Sequence, residues 1–532
     1  MFNKVIRLFF TIRYIKLVQI YYQIWYRIKN HFLSIDWYKE YFNATFHRLS
    51  SKADVILYVP NNEYKSKNQF SFIGIRHLFI ENIDWNILTH GKLWNYNLQY
   101  FNYLLDESID FTEREKLITD FSSNLLAKKI KLEPYPVSLR IINTILFLSR
   151  HNIQNHLIDE ALQSQIDYLN NNLEKHILAN HLLENIFSLY IASFSLQKEQ
   201  LHAKAIELLE RELTEQILED GAHYERSPMY HGIILGKLLL CIDIAESNGE
   251  KNLFLLNILK NKASKMLGWI NTFAFPDGSW ALMNDAAENI APTTTQLNST
   301  AELLNIQWKK STLTESGYRK INGNNWELIM NVGNISPAYQ PGHAHADMLH
   351  FCIWYNGKQV VIDPGTSTYN ISAQRNWERS TKSHNTISID HFNQSDIWSG
   401  FRIGKRAKCN LLNADSNSII ASHSGFAHLG CMHTRSFKKV NNQLELIDQV
   451  TSSKKSKIEI SGNILLIDGL QIDMGNKTVM ISSSEIGNIE LFASVELQLM
   501  ESTFATNFND VKPAKALNYI INDSVHITFS FI

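Results

Sequence analysis

The stretch "FCIWYNGKQVVID", residues 351–363, places two apolar runs on either side of Asn356-Gly357. Asn-Gly supplies the positive φ angles of a two-residue turn, and the β-branched and aromatic residues flanking it suit paired strands, so a β-hairpin is expected. Downstream the same reading holds. "KKVNNQLELIDQV", 438–450, repeats the pattern, and Val525, Ile527, Phe529 and Phe531 alternate with Ser524, His526, Thr528 and Ser530, the period of a half-buried strand. Upstream, from about residue 85 to 310, the period is helical. In "HLLENIFSLYIASFSL", 181–196, Leu182, Ile186, Leu189, Tyr190 and Ala192 to Phe194 fall on one side, and six further segments read alike with short polar or Gly/Pro breaks. Helices first and strands second predict two segregated domains, helical hairpins over 85–315 and an antiparallel β-sandwich over 316–532, behind a lead-in over 1–84.

The chain has 532 residues, 45% of them hydrophobic and 19% charged, with 51 Lys+Arg against 52 Asp+Glu and a formal net charge of −1. That length exceeds a single core, and the balance excludes a global field that recruits nucleic acid. Eleven Trp, 21 Tyr and 28 Phe suit core packing first and sugar rings second. The four cysteines are far apart and form no CxxC, so buried free thiols are expected. No Gly-rich phosphate loop, HExxH or GxSxG is present. The start, "MFNKVIRLFFTIRYIKLVQIYYQIWYRIKN", has Lys4, Arg7, Arg13 and Lys16 among its apolar residues and no cleavage site after it. It reads as a basic, amphipathic helix that either lies on a membrane surface or packs on the protein's own body. With no cleavable signal recognised, a cytoplasmic or peripherally membrane-associated location is expected, the periplasm remaining open.

Three constellations stand out. In "NHLLEN", 180–185, Asn180 and His181 begin a helical run and Glu184 lies one turn on; Asn180 as a helix cap, worth about 1 kcal/mol, is the plain alternative. In "DGAHYERSPMYHGIIL", 220–235, Pro228 suits a first helical turn and Tyr230 follows Arg226, whose charge favours an ionised phenol. In "PGHAHADMLHF", 341–351, His343 and His345 share a face if the stretch is an extended strand, as metal ligands or a proton-handling pair. Asp363, Arg379 and His384 follow, and include the N and O donors that a zinc site needs.

In this order and on this plan, "GHAHAD", "DPGTSTYN" and "SHNTISID" resemble the heparinase II/III-like polysaccharide lyases, over roughly residues 85–470. The resemblance implies an (α/α) toroid joined to an antiparallel β-sandwich, with an anionic polysaccharide in the cleft between them and β-elimination at a uronic acid. It implies Asn180 and His181 as groups that neutralise the uronate carboxylate, Tyr230 as the proton donor to the leaving oxygen, and His343 as base or assistant. Arg140 and Asn143 of "PYPVSLRIIN" match cleft-lining positions; Arg226, Tyr369 and Arg379 join them as substrate-binding candidates, with Glu184 orienting His181. One structural zinc ion, found in some members, is implied at His345, Asp363 and His384. A simple hairpin at Asn356-Gly357 conflicts with that set, because it pairs Asp363 with His350 and leaves His345 on the order of 17 Å along the strand. A bulge or bend before Met348 removes the conflict, and His350 is the competing ligand.

Two other functions fit the same scaffold: a non-catalytic polysaccharide-binding or biosynthesis-associated protein, and a glycoside hydrolase. The hydrolase needs paired carboxylates, for which Asp277 and Asp285 are candidates, although turns explain both.

Overall fold

A computed structural model of the protein describes residues 2–32, 45–57, 62–66, 68–453 and 458–532. Two helices, α1 (Phe2–Ile12) and α2 (Leu17–Phe32), and a short α3 (Ala53–Ile56) come first, followed by a three-stranded antiparallel sheet over 62–78 that the sequence pattern did not announce. Phe70 and Phe72 of that sheet are fully buried, with the Phe72 ring 5.1 Å from Trp94, so the lead-in shares the helical domain's core.

The helical domain runs through α4 (Lys92–Tyr100), α5 (Phe111–Leu126), α6 (Pro134–Arg150), α7 (His156–Asn171), α8 (Ala179–Leu196), α9 (Glu199–Gln216), α10 (Pro228–Ser247), α11 (Leu253–Phe273) and α12 (Thr294–Leu303). α4, α6, α8, α10 and α12 pack in succession as an inner ring, with α5, α7, α9 and α11 outside it. This is an (α/α) toroid, and the inner position explains the inner helices' composition. α8 is buried on nearly every face rather than along one stripe, and α10 is apolar all round, as core helices are. α10 alone among the described residues is long and apolar enough to cross a membrane, but 89% of that window is buried inside the protein, which makes it a core helix.

The strands of the second domain begin at Tyr318. One sheet runs, edge to edge, 498–507, 510–521, 460–466, 358–361, 351–355, 326–331 and 318–322, with 387–389 paired beside 460–466; the other runs 409–414, 418–423, 431–440, 443–452, 524–531, 487–493, 478–483 and 471–474. Neighbours in both are antiparallel, and a shared apolar core fills the space between them. The hairpin at Asn356-Gly357 forms with Tyr355 opposite Lys358, but its register shifts between Ile353 and Trp354, leaving Ile353 opposite Val361. Asn441-Asn442 makes the second hairpin, and the last strand buries Val525, Ile527, Phe529 and Phe531. An ion pair between Arg435 and Asp448, with both guanidinium contacts at 2.7 Å, lies wholly buried, accepts Tyr519 Oη from the opposite sheet at 3.0 Å, and binds the carbonyl of Leu349 at 2.7 Å. That knot fixes the end of the histidine-rich loop. Cys241, Cys352 and Cys431 are buried as free thiols and Cys409 is half-buried.

Candidate active site

A cleft of about 810 Å³ opens between toroid and sandwich. Three of the inner helices supply one face to it at three- and four-residue spacing: Leu93, Tyr96 and Tyr100 from α4, Tyr135, Leu139 and Asn143 from α6, and Tyr230, Ile233 and Lys237 from α10. Asn180, His181, Tyr230, His343, Tyr369 and Asn143 all line this one cavity.

Asn180 is not a cap. Leu178 stands at the N-cap without a side-chain bond, the chain enters α8 through positive φ at Leu178 and Ala179 (65° and 57°), and Asn180 sits buried in the first turn. His181 Nδ1 lies 3.0 Å from Glu174 Oε1, and its ring packs on Tyr135 at 4.4 Å. Burial disfavours the imidazolium, but the Glu174 carboxylate outweighs it and raises the His181 pKa. Glu174, not Glu184, therefore orients His181. The Glu184 carboxylate is wholly buried without a hydrogen-bond partner, and burial pushes its pKa up to about 7.

Pro228 opens α10 as expected, and Ser227 caps it by accepting from the backbone N–H of Tyr230 (3.2 Å) while donating to the carbonyl of Asp285. Tyr230 Oη is 3.1 Å from Tyr369 Oη, and its ring stacks on His343 at 3.9 Å and 28°. Burial raises the Tyr230 pKa well above the phenol range, so the phenol keeps its proton. The arginine near it is not Arg226, which turns away to the carbonyls of Asn334 and Glu315 (3.0 Å) and ties α10's entry to the sandwich, but Arg375.

Residues 341–350 are turns and bends rather than a strand; the strand starts at Phe351, after Leu349 adopts φ +62°. His343 and His345 still meet, through Asp285. Its Oδ2 is 2.9 Å from His343 Nδ1, its Oδ1 is 2.9 Å from His345 Nε2, and Arg375 grips both oxygens, Nη2 at 2.7 Å from Oδ2. Although burial opposes ionisation, Arg375 and the two histidines hold Asp285 well below the usual carboxylate range. An ionised Asp285 accepts a hydrogen bond from His343 Nδ1–H, which leaves Nε2 as the ring nitrogen not bound to it, the arrangement of a general base. Asp285 is thus a hub, not a turn residue. Neither it nor Asp277, which bonds Ser279 and Trp354, lines the cleft, so the two carboxylates expected of a hydrolase stand outside it.

Arg140 and Arg379 are also displaced from their expected roles. Arg140 is buried behind the cleft wall, donating to Gln165 and to Gln99 (3.0 and 3.1 Å) over the Phe121 ring. Arg379 is buried and donates to the carbonyl of Ala344 at 3.2 Å, supporting the loop that carries His343. Asn143 stays at the wall, its amide donating to Tyr100 O and Asn102 Oδ1 (2.8 and 2.6 Å).

Of the expected metal set, His345 Nδ1 lies 3.3 Å from His384 Nε2, which lies 3.8 Å from Asp363 Oδ2. Among the described residues no three His, Cys, Asp or Glu side chains stand closed around one point as placed. The donor chemistry nevertheless suits a cation. His345 Nε2 is committed to Asp285 and His384 Nδ1 to the carbonyl of Ser380 (2.6 Å), so two ring lone pairs face each other while Asp363 Oδ2 has no hydrogen-bond partner. In tetrahedral zinc sites, with ligands ~2.0–2.1 Å from the ion, neighbouring donors are about 3.4 Å apart, close to these spacings. His350 is the lesser candidate. Its Nδ1 accepts from the backbone N–H of Asn385 (2.9 Å), so Nε2 keeps a proton, and it stands 2.9 Å from Asp363 Oδ2 without the alignment of a hydrogen bond.

Comparison with known proteins agrees with this geometry. The model described as Heparinase II/III N-terminus matches residues 142–307, and that described as Heparinase II/III-like, C-terminal matches 306–528. A heparin-sulfate lyase of Bacteroides stercoris is 24% identical over 312 residues, 53% of this chain and 45% of that protein, so the match spans less than half of that relative's length. Among solved structures, a heparinase III superposes with a TM-score of 0.68 at 17% identity, covering 96% of this chain and 91% of that one. The heparan sulfate lyase HepC of Pedobacter heparinus gives 0.56 at 16% identity, covering 87% and 81%. These likenesses define the class of fold, a helical toroid set on an antiparallel sandwich. The chain belongs to the heparinase II/III-like family.

Proposed function

We propose that this protein is a polysaccharide lyase that cleaves a uronic-acid-containing polysaccharide, of the glycosaminoglycan kind its relatives are named for, by β-elimination. The observation that carries the reading is the stacking of Tyr230 on His343 in the same cleft as Asn180 and a His181 paired with Glu174, whose carboxylate raises the imidazole's pKa. The proton on C5 of a uronate is weakly acidic until its carboxylate is neutralised. The Asn180 amide and the His181 imidazolium supply that neutralisation, and they stabilise the enolate-like intermediate more than the ground state. His343 Nε2 takes the C5 proton, the electron pair forms the C4–C5 double bond, and the C4–O4 bond breaks as Tyr230 delivers its proton to O4. Burial keeps that phenol protonated, so the proton is present to be delivered.

The decisive measurement is incubation with a panel of uronate polymers while following the ultraviolet absorbance of the unsaturated end. Tyr230→Phe keeps the ring stack and removes the acid, so kcat falls by about 10²- to 10⁴-fold with the fold intact by circular dichroism. Binding without any chromophore supports the non-catalytic scaffold instead, and cleavage to saturated ends supports a hydrolase.

One metal ion, zinc by its donor set, belongs in this reading at His345 Nδ1, His384 Nε2 and Asp363 Oδ2. Bound there, it clamps the loop before Phe351 to the segments at 363 and 384. Elemental analysis of the purified chain is expected to find about one zinc per chain, lost in His384→Ala together with several degrees of Tm. A metal-free chain with the same Tm as the variant removes the assignment.

A further inference from the structure

α1 and α2 are amphipathic the wrong way round for helices that merely pack on a protein. The polar side faces the body. On α1, Arg7 forms a two-pronged ion pair with Asp396 (2.8 and 2.7 Å), and Thr11 Oγ1 accepts from Trp398 Nε1 (3.2 Å). On α2, Gln19 is buried and donates to the carbonyl of Ile177 (3.2 Å), and buried Lys29 donates to Asn171 O and Asn172 Oδ1 (2.9 and 3.0 Å). Between the helices Lys16 pairs with Glu215 and stands over the Tyr339 ring. These contacts reach both domains, so the helix pair straps the toroid to the sandwich.

The apolar side faces outward. Val5, Phe9 and Ile12 of α1 and Leu17, Ile24 and Ile28 of α2 are between 45 and 84% exposed, and Tyr21 and Trp25 are exposed among them. On α1 Val5, Phe9 and Ile12 fall on the arc opposite Arg7 and Thr11, and on α2 Leu17, Ile24 and Ile28 fall opposite Gln19 and Lys29, so each helix turns an apolar arc away from the body. Monomeric proteins rarely leave such a surface uncovered.

The charge says what covers it. Residues 1–32 carry Lys4, Arg7, Arg13, Lys16, Arg27 and Lys29 and no Asp or Glu, in a chain whose formal net charge is −1. Arg7 and Lys16 are matched by Asp396 and Glu215, whereas among the described residues no carboxylate pairs with the exposed Arg13 or Arg27. A second copy would bring like charge against like charge. An apolar face with interfacial Trp and Tyr beside basic side chains fits a lipid surface of net negative charge. We propose that α1 and α2 dock this protein on an anionic membrane surface. The strap rests on the 396–406 loop, whose Ser399, Phe401 and Arg402 line the cleft, so docking brings the cleft mouth close to the lipid. This inference stands independently of the lyase reading.

The test is flotation of the full chain with vesicles of mixed phosphatidylglycerol and phosphatidylcholine, and with phosphatidylcholine alone. Binding to the anionic vesicles, weakened by salt, is the expected result. Phe9→Asp combined with Ile24→Asp, both at exposed positions, is expected to lower the bound fraction about tenfold or more with the same circular dichroism and melting curve. Failure of the native chain to bind anionic vesicles overturns the proposal, as does undiminished binding of the double variant. A dimer in sedimentation that these substitutions dissolve, without vesicle binding, gives the surface to a second copy instead.

Discussion

His181 owes its charge to a residue seven positions earlier. Glu174 is buried, accepts from Asn185 Nδ2 at 3.1 Å, and meets His181 Nδ1 at 3.0 Å. Burial works against both charged forms, and the pairing outweighs it, lowering the Glu174 pKa and raising that of His181. The signs follow by linkage. The histidine's contribution to stability is present below its ordinary value of about 6.5 and is lost as pH rises through the raised value; the carboxylate's is present above about 4.3 and is lost as pH falls through the lowered one. Glu174→Gln is therefore expected to depress Tm most between those two ordinary values. It is also expected to neutralise His181 near pH 7, raising KM for a uronate polymer about tenfold or more and moving the alkaline limb of kcat/KM to lower pH. A profile measured from acid to alkaline that leaves both KM and that limb unmoved removes His181 as the carboxylate's counter-charge. Sequence spacing reveals no such pair, since position 174 precedes α8 and nothing local marks it. Asp285 was equally hidden: its partners His343, His345 and Arg375 lie 58 to 90 positions away.

Elements were legible where one physical rule dominates. The change from a period of three or four to a period of two marked the toroid and the sandwich, Asn356-Gly357 and Asn441-Asn442 gave their hairpins, and Pro228 opened α10. The rule failed at "PGHAHADMLHF". Its alternation looks like a strand, but the polar side chains are satisfied by Asp285, Asn331 and Asn385 from other segments, and those bonds, together with positive φ at Leu349, fold the stretch into turns. The bend foreseen before Met348 stands at Ala346, followed by a turn at 348–349 and a register shift at Ile353 and Trp354. Gly365 in "DPGTSTYN" shows how tightly the neighbouring loop is held. It has φ +68°, its N–H donates to Asp363 Oδ1 at 2.7 Å, and a Cβ there would stand 1.8 Å from the carbonyl oxygen of Ala505. Gly365→Ala must move the loop that carries both Asp363 and Tyr369. A loss of more than about 2 kcal/mol in urea unfolding is expected, with kcat falling as Tyr369 leaves Tyr230. An alanine variant as stable as the parent shows that the loop does not depend on this close approach.

At the scale of the whole molecule, the cleft exists only because two domains meet: the toroid brings Asn180, His181 and Tyr230, and the sandwich brings His343 and Tyr369. Arg140, Arg226 and Arg379 spend their charge joining segments around it, which is why three arginines expected as sugar-binding groups are absent from its wall. That diversion has a consequence for substrate choice. Lys92, Lys237 and Arg402 are the lysines and arginines of the wall, which also holds Asp54 and Glu225, and Lys92 is already paired with Glu133 at 2.6 Å. The rest of the surface is largely tyrosine, amide and aliphatic. With a net charge of −1 there is also no long-range field to gather a polyanion. One carboxylate at the scissile uronate is well served by Asn180 and His181, but each added sulfate must be desolvated with few cations to receive it. If the protein is the lyase proposed, kcat/KM for an unsulfated, N-acetylated uronate polymer should exceed that for a densely sulfated one of the same backbone by about tenfold or more, with only weak dependence on salt. The comparison is direct: initial rates of unsaturated-end formation on the two polymers across a range of ionic strength. Faster cleavage of the sulfated chain, suppressed steeply by salt, would mean that cations outside this wall read the substrate.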